Sequence, residues 1–379
     1  MKAGVATDGS PSSATLRRHR SRNAVLALLV GGCGAGVFSC HRPAPTPTPQ
    51  PTAPPKALVP TSPSSDGKRI RIALIAKSTS NPSYLSAKLG AEDKARELAE
   101  TWKRPIEIDW MTPPQDDAQL QAQRILQAVN ERVDAILISS SDDSHVAAAI
   151  NDAVSRGVEV MTFDSDAPSS KRFSFCGVDN KKLGRQVIQE LVQVLPRKAS
   201  VAILVGSRDT SGLQRAAGAL EEAASHRDIK IVGTFFHPET ATDAVAEVLR
   251  VRAAFPKVTG WAFLGGWPLY TKTLLTDFLP PDGKAPKHHV VSVNALPPQL
   301  AYVEKGIAPV LLAQPTYLWG AVGVQAIVDR LITHKTVPEI IPMELFRVTQ
   351  ANLGNWARQL RQWGFGDVPD EYLKLPSPN

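Results

Sequence analysis

The chain has 379 residues, a formal net charge of +7, 21% charged residues and three cysteines, a length with room for two medium domains each with its own core. Residues 1–39 hold Lys2, Arg17, Arg18, Arg20 and Arg22 against Asp8 alone, and without them the net charge falls to +3, which gives no electrostatic case for nucleic acid. Two of the cysteines, Cys33 and Cys40, lie near the N-terminus, so the body has only Cys176 and supports neither a disulfide framework nor a Cys/His metal site.

Arg17–Arg22 is a positive segment, and Ala24–Phe38 is an apolar stretch of signal-peptide length. It is short for a membrane-spanning helix and lacks a charged stop-transfer flank. Val37-Phe38-Ser39-Cys40 resembles a bacterial lipobox, which implies that residues 1–39 are a lipoprotein signal peptide and that the Cys40 thiol is lipidated. Val30-Gly31-Gly32-Cys33 is a competing box, and an ordinary cleaved signal or an uncleaved anchor with an incidental Cys is the alternative. Pro43–Ser65 carries nine prolines among Thr, Ala and Ser. Such a stretch cannot build helix ladders, so residues 40–67 read as an extended, disordered tether.

From Arg69 short apolar runs alternate with amphipathic helical patterns. Ile70–Ala76 reads as a strand ending in the polar turn Lys77-Ser78-Thr79-Ser80-Asn81-Pro82. Tyr84–Trp102 reads as a helix with Leu85, Leu89, Ala95 and Leu98 on one face. Pro105–Met111 is a strand, and Asp117–Arg132 a helix with Leu120, Ile125 and Leu126. Strand Asp134–Ile138 ends at Ser139, and a helix runs on to Arg156, stopped by Gly157. Strand Val158–Phe163 ends at Asp164, and Phe173–Val178 is a further strand, in which Cys176 reads as a small buried hydrophobe.

The rhythm then repeats. A helix opens at Asp179-Asn180 and runs to Leu195. Strand Val201–Val205 is followed by a helix carrying Arg215. After strand Ile229–Phe236 comes a helix over Thr242–Phe255. Strand Val258–Leu264 ends at Gly265-Gly266-Trp267, strand Val290–Val293 at Asn294 and strand Val310–Ala313 at Gln314. A helix from about Leu318 to Ile332, a strand near Leu345–Val348 and a helix with Trp356 and Trp363 complete the chain. Alternation of this kind predicts parallel sheets covered by helices on both faces, and the strand count suits two doubly wound α/β lobes better than one sheet. The first lobe takes residues 68–178 and about 315–335, the second 179–314 and about 336–379. Each polar turn follows a strand, which places these side chains at the carboxyl edges of the sheets, facing a cleft between lobes.

Several stretches together carry a resemblance: KSTSNPSY, VDAILISSSDDS, GVEVMTFDSDAP, CGVDN, LGRQ, VAILVGS and AQPTYLWGAVGVQA. Over about Lys68–Val348 the chain resembles the periplasmic sugar-binding proteins of the ribose/galactose type, the type I substrate-binding proteins of ABC importers. The resemblance implies a ligand set of Lys77, Asn81, Tyr84, Ser139, Asp164, Arg215, Asn294 and Gln314. The chain departs from the family pattern in having Gly265-Gly266 where an Asn-Asp pair is usual and Asn294 where Asp is usual. Trp267 is then a candidate to fill the space beside the two glycines. Read without the family, Asn81 is equally a helix cap, Asp164 a turn former, and Arg215 a solvated helix residue.

The chemistry suits a sugar, because carboxylates accept hydroxyl protons, Arg donates, and Asn and Gln do both. The resemblance implies a monomeric, lipid-anchored protein of the periplasm or cell surface, with no cofactor and no metal. It would deliver a sugar or similar polyol to an ABC permease by lobe closure; presentation of ligand to a membrane receptor or kinase is the alternative. No G-x-S-x-G, H-E-x-x-H or local Cys/His pairing points to an enzyme. A repressor of the lac type would need a DNA-binding helix-turn-helix where this chain has its signal and tether.

Overall fold

A computed structural model describes residues 69–206, 208–279 and 286–376. Cys33, Cys40, the signal segment and the tether lie outside the described residues. The body starts with β1 (Ile70–Ile75), α1 (Pro82–Trp102), β2 (Ile106–Trp110), α2 (Ala118–Asn130), β3 (Ala135–Ile138), α3 (Asp143–Ser155), β4 (Glu159–Phe163) and β5 (Ser174–Gly177). The same succession follows in α4 (Asn180–Val194), β6 (Ala199–Val205), α5 (Thr210–Ala223), β7 (Ile229–Phe236), α6 (Ala241–Ala254), β8 (Val258–Phe263), α7 (Thr273–Phe278), β9 (His289–Val293), α8 (Leu300–Glu304) and β10 (Val310–Ala313). The last elements are α9 (Thr316–Thr333), β11 (Ile340–Pro342), β12 (Phe346–Val348), α10 (Leu353–Gln362) and α11 (Asp370–Leu373).

Two six-stranded sheets result, in the orders β11-β5-β4-β3-β1-β2 and β12-β10-β9-β8-β6-β7. The orders correspond strand for strand, so the lobes are two versions of one doubly wound plan. Strands bury both faces, as parallel sheets under helices do. In β1, Ile72 and Leu74 pack into one cluster with Phe163, Trp319 and Ile327. Ala73 and Ile75 point the other way, into a cluster with Ile125, Ile136 and Ile150. The second sheet is covered in the same manner, with Trp261, Phe263, Trp356 and Trp363 on one face and Leu183, Ile203 and Val291 on the other.

Three expectations need correction. Residues 340–342, assigned from sequence to the second lobe, pair with β5 in the first sheet. The final strand, β12, runs antiparallel to β10, so the second sheet is mixed rather than wholly parallel. Leu85 and Leu126, expected on apolar helix faces, are 51% and 39% exposed; the inward faces of α1 and α2 use small or polar residues instead, Ala87 and Ala91 in one and Gln121 in the other.

The chain passes between lobes after β5, after β10 and between β11 and β12. Each of the first two passages delivers a helix that packs on the other lobe, α4 against α5 and α9 against α1. Both helix pairs meet through glycines. A Cβ added at Gly90 or Gly320 would lie 2.0 Å from the Tyr317 carbonyl oxygen or 1.8 Å from that of Ala87. At Gly184 or Gly218 it would lie 2.0 Å from the carbonyl oxygen of Arg215 or Lys181. Only glycine allows the backbones so close.

Candidate functional site

The carboxyl ends of β1 and β4 in one lobe face those of β6, β8, β9 and β10 in the other. Lys77, Asn81, Tyr84, Asp164, Arg215, Trp267, Asn294 and Gln314 all line the cavity between them, which has a volume of about 60 Å³. Ser139 does not line it. Fully buried, it lies behind Asp164 and donates from Oγ to Oδ2 at 3.1 Å.

On the first-lobe wall Tyr84 also donates to Asp164 Oδ2, at 2.9 Å. Burial, and then the neighbouring Asp164 charge, push the Tyr84 phenol well above its ordinary pKa, so it stays a donor. Asp164 has φ 57° in the left-handed region. Asn294 occupies the corresponding place after β9 with φ 66°. Asp and Asn tolerate that conformation better than most side chains. Asn81 caps α1, accepting from the Ser83 backbone N–H at 3.0 Å, and faces the cavity as well.

The second-lobe wall is a directed chain of hydrogen bonds. Arg215 Nη2 donates to Gln314 Oε1 at 3.3 Å, Gln314 Nε2 to Asn294 Oδ1 at 3.0 Å, and Asn294 Nδ2 to the Tyr270 hydroxyl at 3.0 Å. Arg215 is fixed further by Nε to Asn180 Oδ1 at 2.7 Å and by Nη1 to the Leu264 carbonyl at 3.1 Å. Its backbone oxygen abuts Gly184, so the α4–α5 crossing sets where the guanidinium starts. Gly265 and Gly266 make room for two aromatic rings, not one. Trp267 lies near Gly265, but a Cβ at Gly266 would strike Tyr270, 2.8 Å from its hydroxyl oxygen. The two rings sit 5.2 Å apart and tilted. Tyr270 escaped the sequence reading because it stands beyond the turn that carries Trp267.

Two acids were also missed, Asp209 and Glu239. Lys77, buried on the first lobe, donates to the partly buried Asp209 Oδ2 on the second at 2.6 Å. Burial opposes the Lys77 charge, but Asp209, Glu239, Asp164 and Asp116 outweigh it and raise its pKa. Burial likewise pushes Asp209 up, and Lys77, the Gly212 N–H and Arg215 reverse this and bring it below the ordinary range. Glu239 goes the other way: burial, then Asp209 and Asp116, exceed the pull of Lys77 and Arg215 and raise its pKa. Asp209 caps α5, accepting from the Gly212 N–H at 2.7 Å. Its second role is the bond to Lys77, 132 residues away, a pairing that no local pattern announces. Ser165 and Ser211 add a second link across the lobes, with their hydroxyls 3.1 Å apart.

No group of three or more His, Cys, Asp or Glu among the described residues is arranged to hold a metal ion. No helix among them is long and apolar enough to cross a membrane.

Comparison with known proteins matches residues 72–335 to a periplasmic binding protein domain family. The ribose import binding protein RbsB of Bacillus subtilis is 29% identical over 153 residues, 40% of this chain and 48% of that protein. The chain thus spans about half the length of the curated relatives it matches. Among solved structures, an ABC transporter solute-binding protein of Burkholderia graminis in complex with D-arabinose superposes with a TM-score of 0.69 at 23% identity, over 76% of this chain and 97% of that one. One from Actinobacillus succinogenes with bound D-allose gives 0.65 at 23%, over 74% and 98%. These two likenesses concern the fold.

Proposed function

The chain belongs to the periplasmic binding protein domain family, and from that premise we propose that it is a receptor, not an enzyme, whose lobes close on a small neutral sugar or polyol for an ABC importer. The observation that supports this most is the meeting of two polar walls. Asp164, held by Tyr84 and Ser139, faces the Arg215–Gln314–Asn294–Tyr270 chain, so acceptors and donors are offered from opposite lobes. A ligand whose hydroxyls both donate and accept satisfies both walls. Lys77, Asn81, Tyr84, Asp164, Arg215, Trp267, Asn294 and Gln314 are the contact residues in this reading, with Trp267 and Tyr270 packing on apolar ring faces. Ser139 acts through Asp164. At about 60 Å³ the cavity is smaller than most small-molecule sites, and in this reading the lobes part about their connections to admit a ligand.

The charge balance argues for neutrality of the ligand. Three acids (Asp164, Asp209 and Glu239) share the cleft with two cations. One cation, Lys77, is paired with Asp209, and Arg215 is held by three neutral oxygens. In this reading a lipid on Cys40 and the Pro-rich tether hold a monomeric body beside its permease, which rests on the residues of the N-terminal segment.

The test is a thermal-shift series on the full chain with D-ribose, D-arabinose and D-allose beside a sugar phosphate and a uronic acid. A neutral sugar at 100 times its dissociation constant should stabilise the protein by about 2.7 kcal/mol. A shift from the phosphate or the acid, with none from the neutral sugars, would overturn the substrate class.

A further inference from the structure

The cleft contains a buried donor that has no hydrogen-bond partner among the described residues. Trp319, in the first turn of α9, is 1% exposed and lines the cavity, and its indole Nε1–H is unpaired. Two other buried indoles are satisfied within the protein. Trp261 donates to His288 Nδ1 at 3.2 Å and Trp356 to the Ala295 carbonyl at 2.7 Å. Buried polar groups are paired as a rule, so an orphan in a ligand cleft needs a reason.

The Trp319 ring is not free to turn toward some other acceptor. It packs tilted against Tyr84 and Phe163, with centroids 6.3 and 6.1 Å away. Next to it, Gly320 is pressed against the Ala87 carbonyl, which fixes the height of this turn on α1. Tyr84 spends its own hydroxyl on Asp164. The first-lobe wall of the cavity therefore holds both an indole N–H with no acceptor among the described residues and the Asp164 carboxylate. A hydroxyl is the ligand group that can accept from the one and donate to the other; ether oxygens and anionic oxygens only accept.

We propose that Trp319 is a ligand-contacting residue of this cleft, its Nε1–H donating to a ligand hydroxyl oxygen, so that the site selects polyhydroxylated sugars over analogues deoxygenated at that carbon. This deepens the proposed function and rests on it.

The test uses the full chain with 15N-labelled tryptophan. The Nε1–H resonance of Trp319 is assigned by its loss in Trp319→Phe, which keeps an aromatic ring in the core. Adding D-ribose, D-allose or D-arabinose to the unsubstituted protein should move that resonance downfield. Trp319→Phe should weaken binding of the same sugar roughly two- to tenfold, the worth of one neutral hydrogen bond, and the deoxy analogue that binds less well to the unsubstituted protein should lose nothing further in the variant. A resonance that stays put while sugar binds, or an unchanged affinity in Trp319→Phe, would overturn the assignment and leave the indole N–H to an ordered water. If Trp319→Phe fails to fold, single Phe substitutions at the other tryptophans assign the Trp319 resonance by elimination, and its response in the unsubstituted protein decides. Absence of any binding by the three sugars to that protein would instead sink the proposed function, and this inference with it.

Discussion

Glu239 stands apart from the other acids of the cleft. Its carboxyl lies over Gly206, near enough that a Cβ there would come within 2.6 Å of Oε1. Its pKa is raised by burial first and by Asp209 and Asp116 next. Between the unfolded value, about 4.3, and the raised one, the folded protein holds more protons than the unfolded chain. Stability therefore falls as pH rises through that window. Glu239→Gln, which stays neutral, should raise the melting temperature at pH 7 and give no gain near pH 4. An equal effect at both pH values would show that Glu239 does not titrate in this window. Asp164 and Asn294 show how far sequence reaches at this scale. Each stands directly after a strand, so its place at the cleft was legible. The left-handed backbone that both share was not, because Asp and Asn tolerate that conformation without requiring it.

Helices were legible in extent and less so in partnership. The caps at Asn81, Asp117, Asp142 and Asp179 mark the starts of α1 to α4, and each side chain accepts from a backbone N–H of its first turn. Nothing local says that α9 lies on α1 or α4 on α5. The sign was there in four mid-helix glycines, Gly90, Gly184, Gly218 and Gly320. Each costs up to about 1 kcal/mol against Ala in an isolated helix, so each needs a packing reason. Gly320→Ala would put a methyl 1.8 Å from the Ala87 oxygen. We expect it to destabilise by about 1–3 kcal/mol, as overpacked sites do, read as a lower urea midpoint. A midpoint equal to or above that of the unsubstituted protein would mean that α9 is not seated on α1 in this way. Residues 340–342 were misassigned for a related reason. With three residues and an exposed, irregular flank, β11 has no periodicity to read, and only its pairing with β5 identifies it.

At the scale of the whole molecule the Lys77–Asp209 pair joins the lobes through buried charge. Removing one partner of such a pair strands the other, typically at about 3–5 kcal/mol, and opening the cleft relieves this by returning Asp209 to water. Lys77→Met should therefore shift the lobes toward the open arrangement. The change is measurable as a longer distance between labels placed one on each lobe, and Lys77→Met with Asp209→Leu should recover the shorter distance. An unchanged distance in the single variant would remove Lys77 from any part in closure. Two lobes of alternating strand and helix were legible because buried parallel strands and amphipathic helices repeat in a fixed rhythm; the bond that spans them was not.

The three passages of the chain between lobes also set a timetable for synthesis. The first five strands and α1 to α3 are made by residue 177, yet their sheet lacks an edge until β11 at 340–342, and Trp319 and Ile327 of its core arrive only with α9. The second sheet waits for β12 at 346–348. Neither lobe can be completed on the ribosome before β11 and β12 have been made. A nascent chain of this topology stays unfinished, with non-local pairings still to form, until those two late strands emerge.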